Sequence, residues 1–354
     1  MEQKKYKALG VMSGTSLDGI DCAVVEFIYE NNRWKYNFLQ GETISYPDEW
    51  TAKLSTAISL NETDLHLLNI AYTCFLSEKI NEFIAGNHLV DLDFIASHGH
   101  TVLHRPETGI TLQIGNLPIV ADLFDLPFVC DFRVQDVALG GQGAPLVPIG
   151  DRLLFADYDY CLNLGGFSNI SFEDNNQRIA FDICPVNTLL NYFAQKEGFP
   201  FDDEGKMART GEVDTALLAE LNALEFYQAV APKSLGMEQV NAIYLPLINR
   251  YNLTNTTILA TLTEHIAYQI AQIIQIENAR LLATGGGAFN TFLIERMKHH
   301  LPTTQIVVGS KDLTDFKEAI VFAFLGVLRI EKINNVLCSV TGAKHDHCSG
   351  VIYG

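Results

Sequence analysis

The chain has 354 residues, 48% of them hydrophobic and 19% charged, which fits a folded globular protein too long for one ordinary core, so two domains are expected. A net charge of −18, with 24 Lys and Arg, argues against nucleic acid and anionic membrane surfaces as partners. No window is apolar enough to span a bilayer, no signal sequence follows Met1, and the seven cysteines are dispersed without a Cys-x-x-Cys, which reads as reduced thiols in the cytoplasm.

In chain order, Ala8–Ser13 and Ile20–Phe27 are apolar, β-branched runs around Gly14-Thr15-Ser16-Leu17-Asp18-Gly19, the pattern of a hairpin. Gly14 and Gly19 allow close backbone approach, Ser13, Thr15 and Ser16 add hydroxyls, and Asp18 and Asp21 add carboxylates where a hard cation can sit. Together they suit a metal–nucleotide phosphate tail, with an ordinary glycine-rich turn as the alternative. Trp34–Glu42 reads as a strand and Asp64–Ile84 as a helix, followed by strands at Phe94–Ala96, Thr111–Ile114 and Pro127–Cys130. Gly140–Gly150 is the expected joint between domains. A second cycle then opens with strand, Gly165-Gly166 turn and strand over Asp159–Ser171, and Arg178–Phe181 pairs next. Thr257–Ile276 has helical periodicity, and Leu281–Ala283 is a buried strand running into Thr284-Gly285-Gly286-Gly287-Ala288-Phe289-Asn290 and a new helix.

Several side chains invite chemistry. His98, His100 and His104 alternate as on one strand face, which leaves a metal site or sugar hydrogen bonding open. Asp131 and Arg133 suggest an ion pair. Asp136 precedes a glycine-rich stretch, where turn capping is common. Glu318 starts an apolar helix, where the helix dipole alone favours an acid. Lys233 is either an anion contact or an exposed lysine after Pro232. His345-Asp346-His347-Cys348 reads as a solvated polar tail, with a ligand cluster as the alternative.

The segments Met12–Asp21, Ser97-His98-Gly99, Thr111–Gly115, Asp131-Phe132-Arg133 and Asp136–Pro148 resemble those of the anhydro-N-acetylmuramic acid kinases. Leu162–Gly166, Pro232–Gly236, Thr284–Gly287 and Thr341-Gly342-Ala343 continue the resemblance in the family's order. It implies an α/β fold of two duplicated actin/hexokinase-like (ribonuclease H-like) domains around an ATP cleft. The first domain would comprise residues 1–135 plus 319–354, with the first phosphate hairpin. The second, 136–318, would carry the second phosphate loop and the nucleotide-base platform.

The implied reaction uses ATP and water to open 1,6-anhydro-N-acetylmuramic acid, giving N-acetylmuramic acid 6-phosphate. By resemblance, Asp136 is the base and Glu318 positions the water. Ser13, Gly14, Thr15, Ser16, Asp18, Gly19, Asp21, Gly165, Gly166, Gly285, Gly286, Gly287 and Asn290 would hold ATP. His98, Arg133, Asp182 and Asn187 would contact the sugar, Mg²⁺ would sit at Asp18 directly or through water, and the protein would be a homodimer. Where the family commonly has Phe-Asp-Thr-Gly-Pro-Gly-Asn, this chain has Phe181-Asp182-Ile183-Cys184-Pro185-Val186-Asn187, and Met237 stands in place of an Arg. These departures keep open a kinase for another sugar, or a weakened sugar- or nucleotide-binding relative.

Overall fold

The computed structural model describes residues 3–354. The chain divides into two compact units, Met1–Leu154 with Phe316–Gly354, and Phe155–Asp315. The strands of the first unit are β1 (Lys4–Ser13), β2 (Ile20–Glu30), β3 (Arg33–Ile44), β4 (Phe94–Arg105), β5 (Ile110–Ile114) and β6 (Phe128–Cys130). Those of the second are β7 (Tyr160–Leu164), β8 (Phe167–Asp174), β9 (Gln177–Pro185), β10 (Arg280–Thr284) and β11 (Gln305–Val308), and β12 (Val351–Tyr353) returns to the first.

Both units share one strand plan. In the first, β1, β2 and β3 form an antiparallel meander, while β4 and then β6 join β1 in parallel. In the second, β7, β8 and β9 form the meander, and β10 and β11 join β7 in parallel. The expected duplication is therefore present, strand for strand, with β5 and β12 as additions to the first sheet.

Packing follows from the sequence pattern. Leu9, Val11 and Ile20 of the first sheet meet Tyr72, Leu76 and Ile80 of the Glu62–Gly86 helix, whose Asn61 cap accepts the Asp64 N–H. The Lys311–Ile330 helix lies so close to β1 that a Cβ at Gly10 would stand 2.0 Å from the Ala319 carbonyl oxygen. That tight contact fixes the helix turn carrying Glu318. In the second unit, Leu162, Leu164 and Ile170 pack with Leu189, Phe193, Leu259 and Ile266. The Asn255–Ala271 helix ends five residues before the expected Ile276.

The unit boundary differs from the expected one at residue 135. The stretch 136–154 is tied to the first unit by the Gln142 N–H to Thr341 carbonyl bond of 2.8 Å and the Lys317–Asp151 ion pair of 2.8 Å. Gly150 adds a close contact with Val321, which a side chain would fill. Asp136 and Glu318 accordingly both belong to the first unit. No described helix is long and apolar enough to cross a membrane.

Candidate active site

The turn between β1 and β2 is largely open to solvent. Thr15, Ser16 and Asp18 are exposed and Gly14 is half-buried. A Cβ at Gly14 would meet nothing closer than Ser16 Oγ at 3.4 Å, so a bound group has room there. Ser13 and Gly19 belong to the scaffold instead. Ser13 Oγ is buried against Tyr46 and His100, and a Cβ at Gly19 would lie 2.6 Å from the Ile44 carbonyl oxygen. Asp21 accepts the Thr43 hydroxyl at 2.6 Å across the strand pair.

His98 and His100 do not share a face. Gly99 has φ +74°, and a Cβ there would strike the Ile114 carbonyl oxygen, so the chain reorients between the two histidines. His98 packs on Phe322, whereas His100 packs on Tyr72. His98 Nδ1–H donates to the Gly99 carbonyl at 2.9 Å, and Nε2 accepts the Arg133 Nε–H at 2.8 Å. With both nitrogens engaged and the ring buried, His98 orients Arg133 rather than reaching a sugar. Desolvation, reinforced by Arg133, holds its pKa well below the usual histidine value. No group of three or more potential metal ligands occurs among the described residues.

Arg133 also donates from Nη1 to the Gly143 carbonyl at 2.6 Å and faces the Phe322 ring. Its partners are therefore His98 and Gly143, in place of the expected Asp131 pair. Burial lowers the guanidinium to about 10, against the opposing pull of Glu318 and Asp136. It stays cationic, with Nη2 left for an acceptor.

Asp136 is 0% exposed. Its Oδ2 accepts the Gly143 N–H at 2.6 Å and its Oδ1 the Thr341 hydroxyl at 2.7 Å. His347 Nε2 stands 3.6 Å from Oδ1. A carboxylate so enclosed has no path to water in this arrangement, so the expected base role gives way to holding the glycine loop that positions Arg133. Sequence reading missed Thr341 and His347 as its neighbours. The C-terminal segment is not a solvated tail. His347 is 4% exposed, and Asn335 donates to the Leu325 and Ser349 carbonyls at 3.1 and 2.9 Å.

Glu318 is crowded by protein while its side chain keeps solvent access. Loss of hydration raises its carboxyl above the ordinary range, outweighing Arg133 and Lys317, and Asp21 adds to the rise. An accessible acid of raised basicity suits contact with water.

In the second unit, Asp182 is half-buried near the end of β9. Its Oδ2 accepts the Leu235 N–H at 2.8 Å and its own N–H meets the Lys233 carbonyl at 3.0 Å. No described donor bonds to Oδ1. Desolvation raises this carboxyl despite the Leu235 bond. Lys233 Nζ lies 4.6 Å over the Phe226 ring and donates to the Phe226 carbonyl.

The Gly165-Gly166 turn leaves Gly166 exposed, and its carbonyls accept the N–H groups of Val186, Asn187 and Thr188 at the start of the Asn187–Lys196 helix. Cys184 and Val186 turn into the core, each 0% exposed, and neither has a positive φ.

A cavity of about 830 Å³ is lined by Asn187, Gly286, Gly287 and Asn290 with the apolar Phe201 and Phe289, within the range of small-molecule sites. Gly285 has φ +80°, and a Cβ there would lie 2.6 Å from Asn163 Oδ1, so only glycine lets this loop sit on β7. Asn290 caps the Thr291–His300 helix by accepting the Leu293 N–H at 3.0 Å. Asn187, expected at the sugar, lines this cavity and donates to the Leu164 carbonyl.

A model of the anhydro-N-acetylmuramic acid kinases matches residues 6–354. The chain belongs to this family. Its relatives include the anhydro-N-acetylmuramic acid kinase of Pseudomonas savastanoi pv. phaseolicola, 35% identical over 98% of each chain. That of Haemophilus influenzae is 33% identical over 100% of this chain and 99% of the relative. That of Pasteurella multocida is 35% identical over 100% of this chain and 98% of the relative. In this family member, the hairpin turn, the Arg133 cluster and Gly286 and Gly287 of the cavity fall on segments that carry the sequence resemblance.

Proposed function

We propose that the protein is an ATP-dependent kinase that opens 1,6-anhydro-N-acetylmuramic acid and phosphorylates it at O6, giving N-acetylmuramic acid 6-phosphate and ADP. The observation that carries this reading is the full-length relation to kinases of that name. Water attacks the anomeric carbon, the bond from that carbon to the bridge oxygen breaks, and the bridge oxygen takes the γ-phosphoryl group. The water proton passes to a carboxylate.

The reaction calls for carboxylate acceptors on its water; Asp182 in the second unit keeps Oδ1 without a described donor, and Glu318 in the first keeps solvent access. Asp182 acts as base, held by the Leu235 N–H with Oδ1 left open. Glu318 fixes the water. Arg133, oriented by His98, receives an anionic or hydroxyl group of the sugar. The Gly14–Asp18 and Gly165-Gly166 turns meet the phosphates, and the 830 Å³ cavity takes the base and ribose.

The exposed Asp18 carboxylate and the Thr15 and Ser16 hydroxyls are oxygen donors of the hard type that Mg²⁺ accepts, directly or through its waters. When bound, the ion would neutralise phosphate charge. A homodimeric, cytoplasmic protein is part of the same proposal, with the dimer measurable by light scattering.

Incubation with ATP, Mg²⁺ and a panel of amino sugars tests the function. ADP release driven by the anhydro sugar supports it. The exposed Met237, where the family has Arg, favours a second reading in which another sugar is preferred, and the same panel would show that preference.

A further inference from the structure

Beneath the first turn runs a chain of hydrogen bonds that the proposed chemistry does not use. Ser13 Oγ lies 2.7 Å from the Tyr46 hydroxyl and 2.9 Å from His100 Nδ1. The Tyr46 hydroxyl lies 2.5 Å from that of Tyr72. The four side chains are buried and come from the end of β1, the segment after β3, the Glu62–Gly86 helix and β4.

The geometry of these contacts favours one direction for the three hydroxyl protons. If Tyr72 donates to Tyr46, Tyr46 to Ser13 and Ser13 to His100 Nδ1, each of the three hydroxyl protons has an acceptor. With the direction reversed, Nδ1–H would donate to Ser13 and the buried Tyr72 proton would lose the Tyr46 oxygen 2.5 Å away as its acceptor. The imidazole is therefore neutral, with its hydrogen on Nε2 and its Nδ1 lone pair closing the chain. Among the described residues, the one backbone hydrogen bond within the exposed turn is the long Leu17 N–H to Gly14 carbonyl contact of 3.4 Å.

We propose that His100 is a positioning residue: as final acceptor of the Tyr72–Tyr46–Ser13 chain, it fixes the end of β1 and so presents the Gly14–Gly19 turn to a phosphate ligand. The ligand part rests on the proposed function; the ordering of the turn does not. His100→Leu removes the acceptor, whereas His100→Gln can offer Oε1 to the same hydroxyl.

Hydrogen exchange of the full-length, ligand-free protein tests the ordering, and calorimetry with a non-hydrolysable ATP analogue and Mg²⁺ tests its use. In His100→Leu, the turn amides should exchange about tenfold faster and analogue affinity should fall by about the same factor. Amides of β10 should be unchanged, and His100→Gln should restore both readings. If His100→Leu does not fold, Ser13→Ala cuts the same chain with a smaller change and should speed exchange alike. Wild-type exchange in either folded variant, or a glutamine no better than leucine, would overturn the proposal. Faster turn exchange in a protein whose wild type binds no analogue would sustain the positioning role and remove the nucleotide reading.

Discussion

Thr341 donates its hydroxyl to Asp136 Oδ1 at 2.7 Å, joining the C-terminal segment to the glycine loop around Arg133. The bond spans 205 residues of sequence and leaves Asp136 fully enclosed. Asp136 is linked to Arg133 through Gly143, which donates its N–H to Asp136 and accepts from Arg133.

Thr341→Val should therefore act mainly on stability. Removing the donor leaves a buried carboxylate oxygen short of a partner, a cost of about 1–3 kcal/mol. Urea denaturation should show the loss, while the pH profile of the remaining activity keeps its shape. Unchanged stability would remove the Asp136–Thr341 bond from the fold's essential contacts.

Glu318→Gln should separate activity from stability. In the proposed mechanism Glu318 fixes the water and should contribute roughly 10²–10⁴-fold to turnover. Its carboxyl is raised in the fold, so the native state holds the proton more tightly than the unfolded chain. Stability from this group is present below the unfolded pKa and is lost as pH rises through the folded value. At neutral pH the glutamine variant should melt no lower than wild type. A large fall in both turnover and melting temperature would point to a structural role instead.

The buried histidines set an acid limit. Burial lowers His100 to about 4 and His265 to about 3 from an ordinary 6.5, so below the ordinary value the unfolded chain binds more protons. Stability is complete above about pH 6.5 and falls as pH drops toward those folded values. Melting scans from pH 7 to 5 should show the decline, and a flat profile would contradict it. His265 donates from Nδ1 to Asn222 at 2.6 Å and accepts Tyr227 at 2.8 Å, so His265→Gln should flatten part of the slope.

Two glycines should answer differently to substitution. Gly14 has open space, so Gly14→Val should fold normally and weaken nucleotide binding by at least about tenfold through blocked backbone approach. Gly285 combines φ +80° with a close contact to Asn163, so Gly285→Ala should also lower the melting temperature of the protein. Calorimetry and thermal melts distinguish the cases. Equal melting losses would mean that the first turn is as tightly packed as the second.

The strands were legible because β-branched runs and glycine turns are local signals, and the repeated hairpins disclosed the duplication. What sequence did not show was which polar side chains face inward. Ser13 and His98 are residue types common at ligands, yet both spend their polar atoms on other buried side chains or backbone. His345-Asp346-His347-Cys348 reads as solvated, but His347 is buried and bonded to the His345 carbonyl, and the neighbouring Asn335 and Ser349 are buried with hydrogen bonds to backbone carbonyls. Asp182 stood out only as a sugar contact. Its open oxygen and its Leu235 tether depend on a loop 53 residues away in sequence.

The coupling of bridge opening to phosphoryl transfer is tested most directly by the mass of the quenched product. Hydrolytic opening requires the product to exceed the anhydro sugar by one phosphoryl group plus one water. In H₂¹⁸O the added oxygen should carry the label, and Asp182→Asn should slow label uptake and ADP release together. A phosphorylated sugar that keeps its anhydro bridge, or ADP release with no labelled sugar, would contradict the proposed function.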